Sequence, residues 1–253
     1  MAVYNVHGGH NSKTPGAAKY LNEVTEDRKV KNKVIALLRA QGHTVYDCTD
    51  DSGSTQSKNL ANIVTKCNKH KAALDISIHL NAGGGTGVEV YYYPSSSTGK
   101  AKAKAVSSKV AKALGLRNRG AKARSSLYVL RGTEAPAILV ECCFVDSKKD
   151  KKKWNVDKCA KAIVEGVTGK AVSSSGGSSS SSGSSKVPFL VKVKVPDLTI
   201  RSGAGTKYKA VGHIRDKGTY TITQLKYNGS TPWGKLKSGA GWISIHSAYV
   251  TRL

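Results

Sequence analysis

Residues 3–12 read VYNVHGGHNS, a short apolar run that ends in two glycines and is followed by a second histidine. An apolar run of this length that stops at Gly-Gly is typical of a buried first strand at the point where it leaves a sheet. Side chains at such an exit face solvent or a cleft. The stretch therefore predicts a buried β-strand with His7 and His10 beside a potential site.

Beyond this stretch, helical and strand patterns alternate along the first two thirds of the chain. Apolar spacing predicts helices near residues 23–40, 57–70, 99–114 and 155–168. Strands are predicted in GHTVYDC (42–48), ALDISIHL (73–80), TGVEVYYY (86–93), SLYVL (126–130) and PAILVECCF (136–144). The alternation predicts an α/β domain with a mixed, mostly parallel sheet flanked by helices. In such domains functional residues collect at the carboxyl ends of strands.

Composition divides the chain after residue 172. Residues 173–185, SSSGGSSSSSGSS, contain no apolar and no charged residue and predict a flexible Ser/Gly linker. The predicted domains are therefore residues 1–172 and 186–253. The second domain shows short alternating runs such as VKVKV and GTYTITQL between turn residues, which predicts a small all-β barrel.

Charge restricts the class of partner. The chain carries 41 Lys and Arg against 16 Asp and Glu, a net charge of +25, and both predicted domains share the sign. An excess of this size predicts an anionic partner, either nucleic acid, a membrane surface or a cell-wall polymer. No apolar run approaches the length that spans a bilayer, so membrane insertion is not predicted.

Cysteine usage and the first residues indicate the compartment. Five cysteines with no CxxC pair are predicted to be reduced thiols. The first residues lack the basic and apolar stretches of a secretory signal. We therefore expect synthesis in a cytoplasm without a signal peptide.

Ionisable side chains gather at the predicted strand ends. His7 and His10 follow the first strand, His79 lies in SIHLNA, Glu141 lies in ILVECC, and Glu23 begins the first helix. Two imidazoles and two carboxylates are the parts of a hydrolytic zinc site, in which an unligated Glu accepts a proton from water. Glu23 could instead be a first-turn helix residue, and His79 a hydrogen-bonded core histidine. A carboxylate such as Glu141 costs free energy in a buried strand unless it is paired, hydrogen-bonded or used in catalysis.

Several motifs together resemble one enzyme family. Gly9-His10, Glu23, SIHLNA, GVEVYYY, NRGAK, LYVLRGTEAPAILVE and FVDSKKD come in the order and approximate spacing of the zinc-dependent N-acetylmuramoyl-L-alanine amidases of the amidase 3 family. The resemblance covers essentially all of residues 1–170. It is similar above all to the versions found in phage endolysins of Gram-positive bacteria.

This resemblance implies a site and a reaction. It implies one Zn²⁺ per chain held by His10, Glu23 and His79, with Glu141 as the general base and later proton donor. The implied substrate bond is the amide between N-acetylmuramic acid and L-alanine in peptidoglycan. Asn81 is expected to help shape the substrate cleft, and so is Arg119.

Three positions leave alternatives open. Members of the family commonly read DPGHGG where this chain reads HGGHNS, so His7 stands at the usual Asp position and is expected to neighbour the site; the alternative is that His7 is the ligand in place of His10. Glu26 is a rival for Glu23, because both lie on one helix face. Glu89 of GVEVYYY is a rival for Glu141, although a structural or supporting role suits it better.

Residues 190–253 resemble a bacterial SH3 domain in LTIRSGAGTKYKAVGHI and WGKLKSGAGWISI. The resemblance implies cell-wall binding. Aromatic residues in the region are either ligand contacts or core, and the candidates for contacts are Tyr208, Trp233 and Trp242, with Tyr220 and Tyr249 beside them. The ligand could be the peptide stem, the cross-bridge or a teichoic acid.

The leading hypothesis is a phage or prophage endolysin, made in the host cytoplasm and acting on peptidoglycan at the Gram-positive cell wall after release. Its partners are then peptidoglycan and anionic wall polymers such as teichoic acid, with no nucleic acid. The alternatives are a host autolysin of the same chemistry, a zinc peptidase or deacetylase acting on another bond, and a non-catalytic basic protein that binds walls.

Overall fold

The computed structural model describes residues 1–172, 187–228, 231–246 and 248–253. It contains two compact units, one on each side of residues 173–186. The predicted linker, residues 173–185, lies outside the described residues.

The N-terminal unit alternates strands and helices around one six-stranded sheet. Its elements are β1 (Val3–Gly8), α1 (Glu23–Ala40), β2 (Thr44–Asp47), α2 (Gln56–Cys67), β3 (Leu74–Asn81), β4 (Val88–Tyr92), α3 (Ser97–Leu114), β5 (Asn118–Ala123), α4 (Tyr128–Gly132), β6 (Ala137–Phe144), α5 (Lys148–Lys153) and α6 (Val156–Thr168). The strand order is β2-β1-β3-β6-β4-β5. Neighbouring strands are parallel except for β4 and β6. The predicted mixed, mostly parallel sheet is confirmed.

Helices cover both faces of this sheet, because its strands are apolar on both sides. One core joins the sheet to α1, α3 and α6, through residues such as Val34, Val106 and Ile163. A second core joins it to α2 and α4. Successive residues of β6 alternate between them, since Ile138 belongs to the first core and Leu139 to the second.

The strand register brings three ionisable residues into one row. His79 on β3 is the register partner of Glu141 on β6, and Glu141 is the partner of Glu89 on β4. Register partners on adjacent strands point to the same face of a sheet. His79, Glu141 and Glu89 therefore lie side by side across three strands, near the carboxyl ends of β3 and β6.

One local prediction was wrong, and one strand was not predicted. The run SLYVL, predicted as a strand, forms α4, in which Val129 and Leu130 are buried against α2. Burial of these two side chains on a helix overrides the strand preference of the run. Conversely β5, with the sequence NRGAKA, has little intrinsic strand preference and was not predicted; pairing with β4 at the sheet edge defines it.

The C-terminal unit is all-β among its described residues, as predicted. Its strands are β7 (Phe189–Val193), β8 (Leu198–Arg201), β9 (Ala210–Ile214), β10 (Thr219–Asn228), β11 (Thr231–Leu236), β12 (Trp242–Ser244) and β13 (Val250–Arg252), in the sheet order β13-β7-β10-β11-β12-β8-β9. Alternate residues such as Val191, Ile222 and Ile243 form its core.

All five cysteines are free and buried. Among the described residues, no helix combines the length and the apolar character needed to cross a bilayer.

Candidate metal centre and its surroundings

His10, Glu23 and His79 meet at one point of the N-terminal unit. One ligand atom from each lies within 4.8 Å of the other two. Glu23 Oε1 is 3.2 Å from His79 Nδ1 and 3.5 Å from His10 Nε2. The two imidazole rings stand edge to face, with centroids 5.1 Å apart. The structure thus brings together the three residues that the sequence proposed as ligands.

Backbone hydrogen bonds hold the Glu23 carboxylate in place. Asn22 caps α1 by accepting a hydrogen bond from the Thr25 backbone N–H, which puts Glu23 at the first helical position. Its Oε1 accepts from the Leu80 N–H at 3.1 Å, and its Oε2 accepts from the Ala17 N–H at 2.9 Å. The carboxylate is therefore oriented before any ligand binds.

The tautomer of His10 is set by the loop after β1. His10 Nδ1 lies 3.2 Å from the Thr14 carbonyl oxygen, so Nδ1 carries the proton and donates it. Its Nε2, which faces Glu23, is then left with a free lone pair. Arg28 holds the same loop, since its guanidinium donates to the His10 carbonyl and, at 2.8 Å, to Asp51.

Two glycines leave space for the three side chains. A Cβ on Gly9 would lie 1.7 Å from His79 Cε1, and a Cβ on Gly16 would lie 2.0 Å from Glu23 Oε2. Any larger residue would occupy the positions of the ligands themselves. Gly9, the second glycine of the opening stretch, is one of these positions, and its contact with His79 was not predicted from the sequence.

The charges of the cluster are coupled. Burial lowers the pKa of His79, but its hydrogen bond to the Glu23 carboxylate and the charge of Glu141 outweigh burial and raise it overall. Burial raises the pKa of Glu23, but contacts with His79 and His10 lower it overall. Burial and the charge of His79 lower the pKa of His10. Without a cation, the cluster thus favours a protonated His79 against an ionised Glu23.

Glu141 stands beside this cluster with an unpaired oxygen. Its Oε2 is buried and has no hydrogen-bond partner among the described residues. Burial raises the pKa of Glu141 to about 7; His79 opposes this shift, and the charges of Glu23 and Glu89 add to it. A carboxylate poised near neutral pH can both accept and return a proton.

Glu89 is engaged by four donors and lacks this freedom. Its Oε1 accepts from Asn81 Nδ2 at 2.8 Å and from the Tyr91 hydroxyl at 2.6 Å. Its Oε2 accepts from Arg119 Nε and Lys122 Nζ, both at 2.5 Å. Burial opposes ionisation of Glu89, but these donors lower its pKa to about 2. Asn81 and Arg119 thus donate to Glu89, and the same role of Tyr91 and Lys122 was not predicted from the sequence.

Glu26 and His7 lie outside the cluster. Glu26 accepts hydrogen bonds from Lys29 Nζ at 2.6 Å and Trp154 Nε1 at 2.8 Å. His7 is buried, with its Nδ1 3.5 Å from Ser77 Oγ. Burial and the charge of His79 lower the pKa of His7 to about 3, so the ring is neutral.

The aromatic candidates of the C-terminal unit differ in whether they line a pocket. Tyr208 and Trp242 line a pocket of about 420 Å³ together with Lys207 and Lys226. Trp233 and Trp242 are both buried, at 4% and 7% exposure, and Trp233 is not among the residues lining this pocket. Tyr220 donates to Asp216, and Tyr249 is partly exposed.

The residues of the cluster fit a zinc ion. Zn²⁺ binds imidazole nitrogen and carboxylate oxygen at about 2.0–2.2 Å, which sets ligand atoms about 3.3 Å apart in a tetrahedron. The two separations from Glu23 Oε1, 3.2 and 3.5 Å, match this spacing, and all three ligand atoms lie within 4.8 Å of one another. Two imidazoles and one carboxylate are also a donor set of catalytic zinc sites.

Comparisons with known proteins identify a family. Residues 6–170 match the family Amidase_3, N-acetylmuramoyl-L-alanine amidase. An endolysin of Bacillus phage SPP1 is 33% identical over 266 residues, which cover 96% of this chain and 95% of the relative. An uncharacterised protein of Clostridium perfringens strain 13 is 31% identical over 220 residues, 83% of this chain. The chain spans 65% of that protein and 44% of a second C. perfringens relative.

Solved structures with the same fold cover about two thirds of the chain. The catalytic domain of the CD27L endolysin targeting Clostridia Difficile superimposes with a TM-score of 0.63 at 29% identity, over 68% of this chain and 100% of that one. The catalytic domain of CwlV, an N-acetylmuramoyl-L-alanine amidase from Bacillus (Paenibacillus) polymyxa var. colistinus, gives 0.59 at 27% identity, over 67% of this chain and 97% of that one.

Proposed function

The chain belongs to the N-acetylmuramoyl-L-alanine amidase family, and from this membership we propose that it is an endolysin that hydrolyses the amide between N-acetylmuramic acid and L-alanine in peptidoglycan. The observation that carries the proposal is the juxtaposition of the His10–Glu23–His79 cluster with Glu141, which has one unpaired buried oxygen. The alignment with the endolysin of Bacillus phage SPP1 covers 96% of this chain, well beyond residues 6–170, and this supports the proposal.

The metal we propose is one zinc ion per chain, held by His10, Glu23 and His79. Zinc in such a site acts as a Lewis acid toward a carbonyl group and lowers the pKa of water. The Leu80 and Ala17 backbone N–H groups orient the carboxylate ligand, and the Thr14 carbonyl orients His10. These contacts are the supporting interactions that metal ligands require.

Glu141 is the proposed proton carrier. Its unpaired Oε2 accepts a proton from the attacking water. The same oxygen then gives the proton to the nitrogen of alanine, which leaves as an amine. A pKa raised to about 7 lets Glu141 do both near neutral pH. Glu89 cannot replace it, because four donors occupy its oxygens.

The C-terminal unit is proposed to be an SH3-like domain that binds the cell wall, with Tyr208 and Trp242 as contacts. Trp233 would support these contacts from the interior. Residues 186–253 carry 12 basic and 2 acidic residues, and this charge suits an anionic wall polymer such as teichoic acid. The proposed site of action is the cell wall of a Gram-positive host, reached after release from its cytoplasm.

Digestion of purified Gram-positive peptidoglycan tests the proposal. The full chain is incubated with and without a zinc chelator, and new amino termini and fragments are identified by mass spectrometry. The amidase predicts free alanine amino termini and peptide-free glycan, lost with chelator and restored by zinc. Other termini would indicate a zinc peptidase, loss of acetyl groups a deacetylase, and binding without cleavage a plain wall-binding protein.

A further inference from the structure

The strand β5 carries an irregularity beside the candidate site. Val88 of β4 pairs with Asn118, but the next residue, Glu89, pairs with Gly120. Arg119 is therefore the extra residue of a β-bulge, and Gly120 has the positive φ of 83° that a glycine tolerates. Bulges in parallel pairs are rare and often re-aim a side chain next to an active site.

The bulge brings two cations to the same carboxylate. Arg119 and Lys122 are three positions apart, so in a regular strand they would point to opposite faces. With the bulge, Arg119 Nε and Lys122 Nζ both reach Glu89 Oε2. The Arg119 guanidinium also stacks on the Phe144 ring, with Cζ 5.1 Å from its centroid. Both cations are therefore held in place before a ligand arrives.

Most donors of these cations remain free. An arginine side chain has five N–H donors and a lysine three. Arg119 donates to Glu89 through Nε, and Lys122 donates to it through one of its three protons. Neither side chain has another acceptor among the described residues. Their side chains are 28% and 39% exposed. One carboxylate against two cations leaves a positive charge facing solvent.

This charge lies within reach of the scissile bond. Glu89 is the register partner of Glu141, and side chains of such partners start about 5 Å apart. An extended peptide covers about 3.3–3.6 Å per residue, so an anionic group in the second residue of a stem lies about 7 Å from the scissile nitrogen. That residue is a γ-linked D-glutamate, whose α-carboxylate is either free or amidated.

We propose that Arg119 and Lys122, held by Glu89, form a subsite for the α-carboxylate of the D-isoglutamyl residue that follows alanine in the stem peptide. This inference rests on the proposed function. It makes the enzyme selective for stems with a free carboxylate over stems amidated at that position. An arginine fork matches the two oxygens of a carboxylate, whereas an amide offers one acceptor and no charge.

Binding of two product peptides tests the subsite without catalysis. The zinc-loaded full chain is titrated with L-Ala-γ-D-Glu-L-Lys and with its D-isoglutamine counterpart, and the dissociation constants are measured by NMR. The free carboxylate should bind on the order of 10-fold to 100-fold more tightly. Arg119→Gln should reduce this ratio several-fold, and Arg119→Gln with Lys122→Gln should bring it to about one.

Arg117→Gln is the matched control, because it removes the same charge two residues away without touching Glu89, and it should keep the ratio. Arg119→Gln leaves Glu89 bound to Lys122, Tyr91 and Asn81, so the fold should persist; near-UV circular dichroism checks this. Equal affinities in the unsubstituted chain, or a ratio that survives in the double variant, would overturn the subsite. If the chain releases alanine termini from cell walls but binds the two peptides equally, the proposed function stands and only the proposed subsite is rejected.

Discussion

Replacing Gly9 by alanine should remove the metal while leaving all three ligands in the chain. The added methyl group would lie 1.7 Å from His79 Cε1 and 1.8 Å from His79 Nε2. Non-bonded carbon atoms rest about 3.5–4.0 Å apart, so the ring must move by about 2 Å. Metal sites tolerate departures of only about 0.2 Å in ligand distance. We therefore expect His79 to be lost as a ligand.

Zinc affinity is the assay. Competition with a chromogenic chelator should show binding at least about 100-fold weaker for Gly9→Ala than for the unsubstituted chain, with a parallel loss of wall hydrolysis. Gly212→Ala is the control, because its methyl group would meet only Ile200, at an ordinary 3.6 Å. Unchanged zinc affinity in a folded Gly9→Ala protein would refute the reasoning, since His79 would then not be a ligand at the position described.

Three further predictions concern individual carboxylates and pH. Glu141→Gln should lower the hydrolysis rate by about 10²-fold to 10⁴-fold and leave zinc stoichiometry unchanged; an active variant would remove Glu141 from the mechanism. Zinc affinity should fall as the pH is lowered from 8 to 6, because the raised pKa of His79 makes protons compete with the metal; a pH-independent affinity in chelator competition would contradict this. Burial raises the pKa of Asp75 from 3.8 to about 7, so the folded chain holds the extra proton and stability is lost as the pH rises from about 4 to 7. Asp75→Asn keeps the oxygen that accepts the hydrogen bond from Asn5. It should therefore raise the free energy of unfolding, measured with urea, by roughly 2–4 kcal/mol at pH 8 and change it little at pH 4. Equal effects at both pH values would show that the pKa shift is absent.

The spacing of apolar residues was sufficient to predict those helices and strands whose buried residues recur regularly within one segment. The helix predicted over residues 23–40 is α1 with the same bounds, and PAILVECCF contains β6. Elements that form because a neighbouring element packs or pairs with them could not be predicted in this way. β5 has polar residues and a glycine, and it is a strand because β4 offers it an edge, while α4 is a helix because α2 offers its Val129 and Leu130 a place to pack. No single-segment pattern contains that information.

The candidate site likewise contains residues that the sequence predicted and contacts that it did not. His10, Glu23, His79 and Glu141 were named from motif spacing, and the fold brings them together. The supporting contacts were not predictable, because they join distant parts of the chain. Lys122 reaches Glu89 only through a bulge, and Gly16 matters only because Glu23 folds back over it. Spacing identifies the residue types, and tertiary contacts decide which of them are free to react.

The most direct test of the account is X-ray absorption spectroscopy at the zinc edge on the full chain after purification and zinc loading. The account predicts one zinc per chain with two imidazole nitrogens and one carboxylate oxygen from the protein at about 2.0–2.2 Å, and loss of one imidazole in His79→Ala. The five buried, free cysteines are the alternative source of zinc ligands. Sulfur scattering at about 2.3 Å, or a spectrum unchanged by His79→Ala, would contradict the assignment of the metal centre.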